Sequence, residues 1–209
     1  MFKYIFLLLI LSFYQPVFST EDTISQAVAR YLTRIHKYME AEDWINAERE
    51  LEQTARRYFK NEDSYERALI NQLYGQFYAM QRDYKNAIPW FEKAIAKGRL
   101  PFAADLQVTY SLAQCYFQTG RYTDVINTLE NYRTKASKRG QNMAPVQLMV
   151  LGIAYFQEQE MLKAYLNIAE ANATSTKLNE EWLQYEFALA VKLEKYDDAI
   201  SVGQFLIFV

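Results

Sequence analysis

One phrase returns along this chain at a nearly even interval, and it limits the fold more than any other feature. In Tyr84-Lys85-Asn86-Ala87-Ile88 a bulky aromatic stands three places before a small residue. The phrase comes back at Trp44 with Ala47, Tyr122 with Val125, Met161 with Ala164 and Tyr196 with Ala199. The small anchors Ala47, Ala87, Val125, Ala164 and Ala199 lie 40, 38, 39 and 35 residues apart. Periods of roughly 20 to 50 residues mark stacked repeat units, each unable to bury its apolar face alone.

A helical segment of one design precedes each phrase. Leu73, Tyr74, Phe77 and Tyr78 fall at i, i+1, i+4 and i+5, one face of a 3.6-residue helix. Gly75 sits among them where a facing helix must come close. Leu112, Ala113 and Tyr116 repeat the design, as do Leu151, Gly152 and Tyr155. Polar breaks follow at Gln81-Arg82-Asp83, Gln118-Thr119-Gly120-Arg121 and Gln157-Glu158-Gln159-Glu160. A second apolar stripe then runs through Ile88, Phe91, Ala94 and Ile95. The spacing predicts helical hairpins with short turns. Six Gly and four Pro in 209 residues leave few helix breakers, which agrees.

These hairpins resemble the tetratricopeptide repeat (TPR) family. Its pattern asks for a small residue at place eight, Tyr at eleven, Ala at twenty, Phe or Leu at twenty-four and Ala at twenty-seven. Gly75, Tyr78, Ala87, Phe91 and Ala94 match it. Ala113, Tyr116, Val125, Leu129 and Tyr132 follow, then Gly152, Tyr155, Ala164, Ile168 and Ala171. Ile35 and Phe187 at place eight depart from it in the outer units. The first continues with Tyr38, Ala47, Leu51 and Thr54, and the last with Ala190, Ala199, Gly203 and Leu206. The resemblance implies an all-α superhelical solenoid of about five antiparallel helix pairs over residues 20–209. Units are expected near 28–61, 68–101, 106–139, 145–178 and 180–209, and the last one reads as truncated. Gly98-Arg99-Leu100-Pro101 and Ser137-Lys138-Arg139-Gly140 read as loops between units.

The family lines a concave groove with its first helices and holds partner segments there. Residues off the packing face are then Gln72 and Gln76, with Met80 beyond them. Gln107, Tyr110, Gln114 and Phe117 come next, then Met149 and Phe156 beside Ile153, and finally Gln184 and Tyr185 beside Ala188. His36 belongs to the first unit. This groove is neutral, and the Lys, Asn and Arg clamp of chaperone-binding relatives is missing, which disfavours an acidic tail. Amides suit a partner's backbone, and aromatics offer contact area at low entropic cost. The competing reading is a solvated face for the Gln residues and inter-unit packing for Phe117 and Phe156.

Chemistry is hard to assemble from the rest. One His and one Cys leave no second His for a dyad and no disulfide or CxxC site. No GxxxxGK[ST], HExxH, GxSxG or GxGxxG occurs. No enzyme activity, cofactor or metal is expected. A net charge of −2 with mixed signs disfavours nucleic acid. Cys115 reads as a buried small residue, and Arg133, Lys135, Lys138 and Arg139 as a solvated loop cluster. Asn172-Ala173-Thr174 matches a glycosylation sequon, a common chance pattern.

The ends carry separate signals. Lys3, the apolar run Tyr4 to Tyr14, and Val17-Phe18-Ser19 read as a signal peptide, 1–19, cut after Ser19. An uncleaved anchor is the other reading, but the run is short for a span of about 20 residues. Cleavage implies a periplasmic chain with no integral membrane anchor. Gly203 to Val209 is almost wholly apolar, so this end either continues in a longer chain or docks on something. Finally, two runs, Asp63-Ser64-Tyr65-Glu66-Arg67-Ala68 and Ala96-Lys97-Gly98-Arg99-Leu100-Pro101, look like periplasmic TPR proteins of bacterial TonB systems. Thr109 to Gln114, Thr119 to Tyr122 and Glu181-Trp182-Leu183 do likewise. That resemblance implies a protein partner, such as a TonB/ExbB/ExbD-type complex. A generic scaffold for cell-envelope or secretion assembly is the alternative.

Overall fold

The repeat is built on one turn, used five times. A computed structural model describes residues 26–58, 61 and 63–207. Among the described residues there are ten α-helices and no strand. They are α1 (Gln26–Glu40), α2 (Trp44–Tyr58), α3 (Tyr65–Met80), α4 (Tyr84–Ile95) and α5 (Phe102–Gln118). Then come α6 (Tyr122–Ser137), α7 (Pro145–Gln157), α8 (Met161–Thr174), α9 (Glu180–Lys192) and α10 (Tyr196–Leu206). The expected all-α helical repeat array is what the chain forms. The expected signal segment, 1–19, lies outside the described residues.

Inside each hairpin the first helix ends on a left-handed residue. Glu42, Arg82, Gly120, Gln159 and Glu194 have φ of 55°, 63°, 73°, 65° and 58°. The residue after each one donates its N–H, at 2.9 Å, to the carbonyl five places back. The pairs are Asp43 to Tyr38, Asp83 to Tyr78, Arg121 to Tyr116, Glu160 to Tyr155 and Lys195 to Ala190. The left-handed residue itself donates three places back, as Arg82 does to Ala79 at 2.9 Å. This is the Schellman ending, which satisfies carbonyls that the helix leaves open. The recurrent Tyr of the sequence therefore stands where the turn closes.

The next helix starts two residues later. In the first two hairpins an Asp caps it: Asp43 accepts from the Asn46 N–H at 3.2 Å, and Asp83 from the Asn86 N–H at 3.3 Å. Arg121, Glu160 and Lys195 hold that place in the other three hairpins, with no side-chain cap bond. Each instead pairs three residues on, with Asp124 at 2.6 Å, Lys163 at 2.5 Å and Asp198 at 3.6 Å.

Contact between paired helices explains the small residue at place eight. A Cβ built on Gly75 meets the Phe91 ring at 2.5 Å, and one on Gly152 meets Ile168 Cγ1 at 2.6 Å and the Ala164 carbonyl at 3.2 Å. The last hairpin reverses the sizes. Phe187 stands on α9, and Gly203 faces it from α10, with 3.5 Å between a built Cβ and the ring. Place eight and place twenty-four thus act as one pair whose combined volume matters.

The chain divides into two compact units between Val108 and Thr109, inside α5. In the first, α1 packs on α2, α2 on α3 and α3 on α4. Its core joins Val28, Ile35, Met39, Ala47, Leu51, Ile70, Leu73 and Phe77. In the second, α6 to α10 pack in chain order, around Leu148, Leu151, Ile168, Leu189 and Ala190. Arg133 and Lys135, expected in a loop, lie on α6, which runs to Ser137 before Gly140 turns at φ 68°.

Candidate partner-binding face

First helices in the middle of each unit are covered on two sides, by the second helix before them and by their own partner. Only a narrow strip of each then stays open, which decides where the proposed groove residues fall. In the first unit Gln72 is 2% exposed and Gln76 is half-buried. Gln107 is exposed, and so is Met80. His36 is half-buried, and burial lowers its pKa, with Glu40 opposing. Gln72 lies between the faces that pack on α2 and α4, so its side chain does not reach solvent. Its Oε1, the Gln76 Oε1 and the Asn71 Oδ1 find no hydrogen-bond partner.

In the second unit Tyr110, Gln114, Phe117, Phe156 and Tyr185 are half-buried, and Gln184 is exposed. Met149, at 3%, is buried, with Ile153 beside it. Tyr110 and Gln114 lie one turn apart on α5. Burial pushes the Tyr110 hydroxyl to about 12, although the neighbouring Gln114 pulls the other way. Gln114 is close enough to act on Tyr110 but forms no full hydrogen bond with it. The hydroxyl and the Gln114 Nε2 are both out of solvent without a partner. Phe117 packs edge-on to Tyr122, with centroids 5.6 Å apart, so it serves the hairpin turn. Gln184 donates to Glu180 at 3.0 Å. Cys115 is buried, and its thiol is pushed up to about 12 by desolvation, which keeps it inert.

Two groupings escaped the sequence reading. In the first unit Tyr74 stacks on Trp90 with centroids 4.3 Å apart, and the Lys93 ammonium lies 4.6 Å from the Trp90 ring. Such a partly exposed aromatic column is a typical anchor for protein contacts. Its only trace in the sequence is Trp90 between Ile88 and Phe91, off the apolar stripe. In the second unit Arg133 pairs with Glu130 at 3.1 Å, reaches the Asn167 side chain and lies 3.8 Å from Glu170. Tyr155 donates to Glu130 at 3.0 Å, and the Lys163 ammonium lies 5.1 Å from its ring. Glu130, Arg133, Tyr155, Lys163, Leu166, Asn167 and Glu170 line a hollow of about 250 Å³. Two cations face two carboxylates there, so the hollow favours neither an anion nor a cation, and it works as a clasp joining α6, α7 and α8.

Two of the sequence runs noted for their resemblance meet in space. Ser64 caps α3 by accepting from the Arg67 N–H at 3.1 Å. Arg99 grips Asp63 through Nε at 3.0 Å and a terminal nitrogen at 2.8 Å. That bidentate bond holds the Asp63 carboxyl below its ordinary value. Among the described residues no group of three or more His, Cys, Asp or Glu side chains is placed to hold a metal. No described helix is long and apolar enough to cross a membrane.

Comparison with known proteins agrees with this architecture. Residues 80–141 match the family model described as "Anaphase-promoting complex, cyclosome, subunit 3". No curated protein matches the sequence. MamA from Desulfovibrio magneticus RS-1 superposes with a TM-score of 0.68 at 15% identity, over 88% of this chain and 96% of that one. A tetratricopeptide repeat protein from Parabacteroides merdae gives 0.65 at 16% identity, over 88% of this chain and 66% of that one. PilW, described as a type IV pilus biogenesis factor, gives 0.53 at 16% identity, over 88% and 93%. At these identities the likeness is one of fold: a TPR-type helical repeat array.

Proposed function

We propose that this chain is a non-catalytic scaffold that holds a segment of a partner protein against its first helices. One observation carries the reading. On α5 the Tyr110 hydroxyl and the Gln114 Nε2 are out of solvent with no full hydrogen bond, one turn apart on a half-buried strip. Unmet polar atoms of this kind cost about 1–3 kcal/mol each. A partner backbone that opens and fills this strip supplies a donor and an acceptor at once. The strip carries no charge of its own, so it selects a neutral extended or helical segment over an acidic tail.

In this proposal the chain acts in the periplasm, after export by its N-terminal segment, as an accessory of a TonB-dependent uptake system. The runs at Asp63–Ala68 and Ala96–Pro101 support that role through their resemblance. The Asp63–Arg99 pair gives a physical reason for the two to occur together. A second reading, a scaffold for cell-envelope assembly, draws on the fold shared with the pilus biogenesis factor.

The test is in-cell crosslinking of the tagged chain, followed by mass spectrometry. The accessory role predicts capture of TonB-, ExbB- or ExbD-type proteins from the detergent-solubilised cell envelope. The combined substitution Tyr110→Ala and Gln114→Ala is expected to lower recovery at least tenfold while circular dichroism stays helical. Undiminished recovery by the folded variant removes this strip from the proposal. Recovery of pilus or secretion proteins instead favours the second reading.

A further inference from the structure

Place seven of a first helix and place twenty-three of its partner helix meet at the surface of the first two hairpins. In the first they form the Arg34–Glu50 ion pair at 3.5 Å, and in the second the Tyr74–Trp90 stack at 4.3 Å. The same places hold Leu112 and Thr128, Leu151 and Asn167, and Glu186 and Val202 in the other three. Four hairpins of five thus form without an aromatic at place twenty-three, so Trp90 is not needed to build the repeat. It stands half-buried, on a stripe of α4 with the exposed Asn86 and Lys93. An indole left partly open at a surface offers a large contact area to a partner. Charge gathers around it. The Lys93 ammonium lies 4.6 Å from the centre of the Trp90 ring, and no described carboxylate forms an ion pair with it. On the other side Glu52, Arg56 and Arg67 all act on the Tyr74 hydroxyl. Glu52 is already held by Arg56 at 2.8 Å. The aromatic pair therefore sits in a field that is positive on balance. Lys97, one turn beyond Lys93 and exposed, extends it.

We propose that the Tyr74–Trp90 column and the cations around it dock an acidic segment of a partner protein, one with a large apolar side chain among its carboxylates. A carboxylate that takes the Lys93 ammonium draws it off the indole. The apolar side chain then covers the ring surface that this opens. A lysine over an exposed ring is a weak contact, so the exchange costs little. Arg56 and Lys97 meet the flanking carboxylates and steer the approach. Nucleic acid fits less well, because Glu52 stands within the patch and would face its phosphates. This face shares no residue with the α5 strip, so the two proposals stand or fall separately.

The probe is a fluorescein-labelled peptide with the core Asp-Glu-Phe-Glu-Asp, titrated with the full chain and read by anisotropy. Saturable binding that weakens as salt rises is expected. Lys93→Glu should lower the affinity at least about tenfold, while Lys138→Glu, the same charge change just past α6, should leave it within about twofold. A second peptide with Ala in place of Phe should bind the parent at least about tenfold more weakly, and Trp90→Ala should erase that preference. Far-ultraviolet circular dichroism reports whether each variant folds. Should Trp90→Ala not fold, the Lys93 variant and the two peptides decide the matter without it. Absent or non-saturable binding, equal affinity for the two peptides, or equal loss in Lys93→Glu and Lys138→Glu overturns the proposal. Tighter binding of single-stranded DNA or of phosphatidylglycerol vesicles than of the Phe peptide does so as well.

Discussion

A methyl group is welcome at one glycine of this chain and excluded at another. At Gly75 a Cβ lies 2.5 to 2.8 Å from three atoms of the Phe91 ring, which is itself 1% exposed and has no room to retreat. Gly75→Ala should cost about 1–3 kcal/mol, the usual range for overpacking. At Gly203 the nearest ring atom is 3.5 Å away, an ordinary contact. Gly203→Ala should therefore stabilise, by up to about 1 kcal/mol of helix propensity. Urea unfolding of both variants checks the opposite signs. Glu186 makes a second residue-scale case. Burial raises its pKa above 4.5, Asp198 adds to this, and the Asn172 bond opposes it. The folded chain then holds a proton that the unfolded chain releases, so stability falls as pH rises from 4.5 through the raised value. Glu186→Gln keeps an oxygen for Asn172 and should melt higher than the parent at neutral pH. Below 4.5 that advantage should vanish in thermal melts. The close approaches at Gly75 and Gly152 were legible in the sequence, because a glycine amid helical aromatics has few other reasons to be there. Gln72 and Met149 were not legible as buried. Helical periodicity gives an angle around the axis, but not how wide an arc the neighbours cover.

The hairpin turn shows how an element can be conserved in geometry and hidden in sequence. Five left-handed residues close five Schellman endings, yet only Gly120 is a glycine. The polar breaks announced the turns, and Gly120 announced the backbone conformation of one. Arg82, Gln159 and Glu194 gave no such sign, because the closing bonds are between backbone groups and do not need a particular side chain. Left-handed φ strains an L residue by roughly 1–2 kcal/mol, and glycine's extra chain entropy returns part of that. Arg82→Gly, Gln159→Gly and Glu194→Gly should each stabilise by about 0.5–1 kcal/mol, and Gly120→Ala should destabilise by about 1 kcal/mol. Guanidinium unfolding of the four single variants decides it. A loss of stability in the three glycine variants would mean that their side chains hold the turn.

At the scale of the whole molecule, the repeat period was legible before the helices were. It demanded that each hairpin borrow burial from the next, and this makes stability depend on position within each unit. In the first unit α3 is packed on both α2 and α4, whereas the described side of α1 packs on α2. In the second, α7 lies between α6 and α8, while α10 leaves Ile200 and Ile207 open to solvent. A repeat array loses its neighbour term at an uncovered seam, so local opening is easiest there. Hydrogen exchange read by mass spectrometry should find amides of α3 and α4 slower than those of α1, and amides of α7 and α8 slower than those of α10. The ratio between inner and outer helices should reach at least tenfold, about 1.4 kcal/mol of opening free energy. Uniform exchange over all ten helices would instead mean that the chain opens as one cooperative body, without the position dependence that stacked hairpins impose.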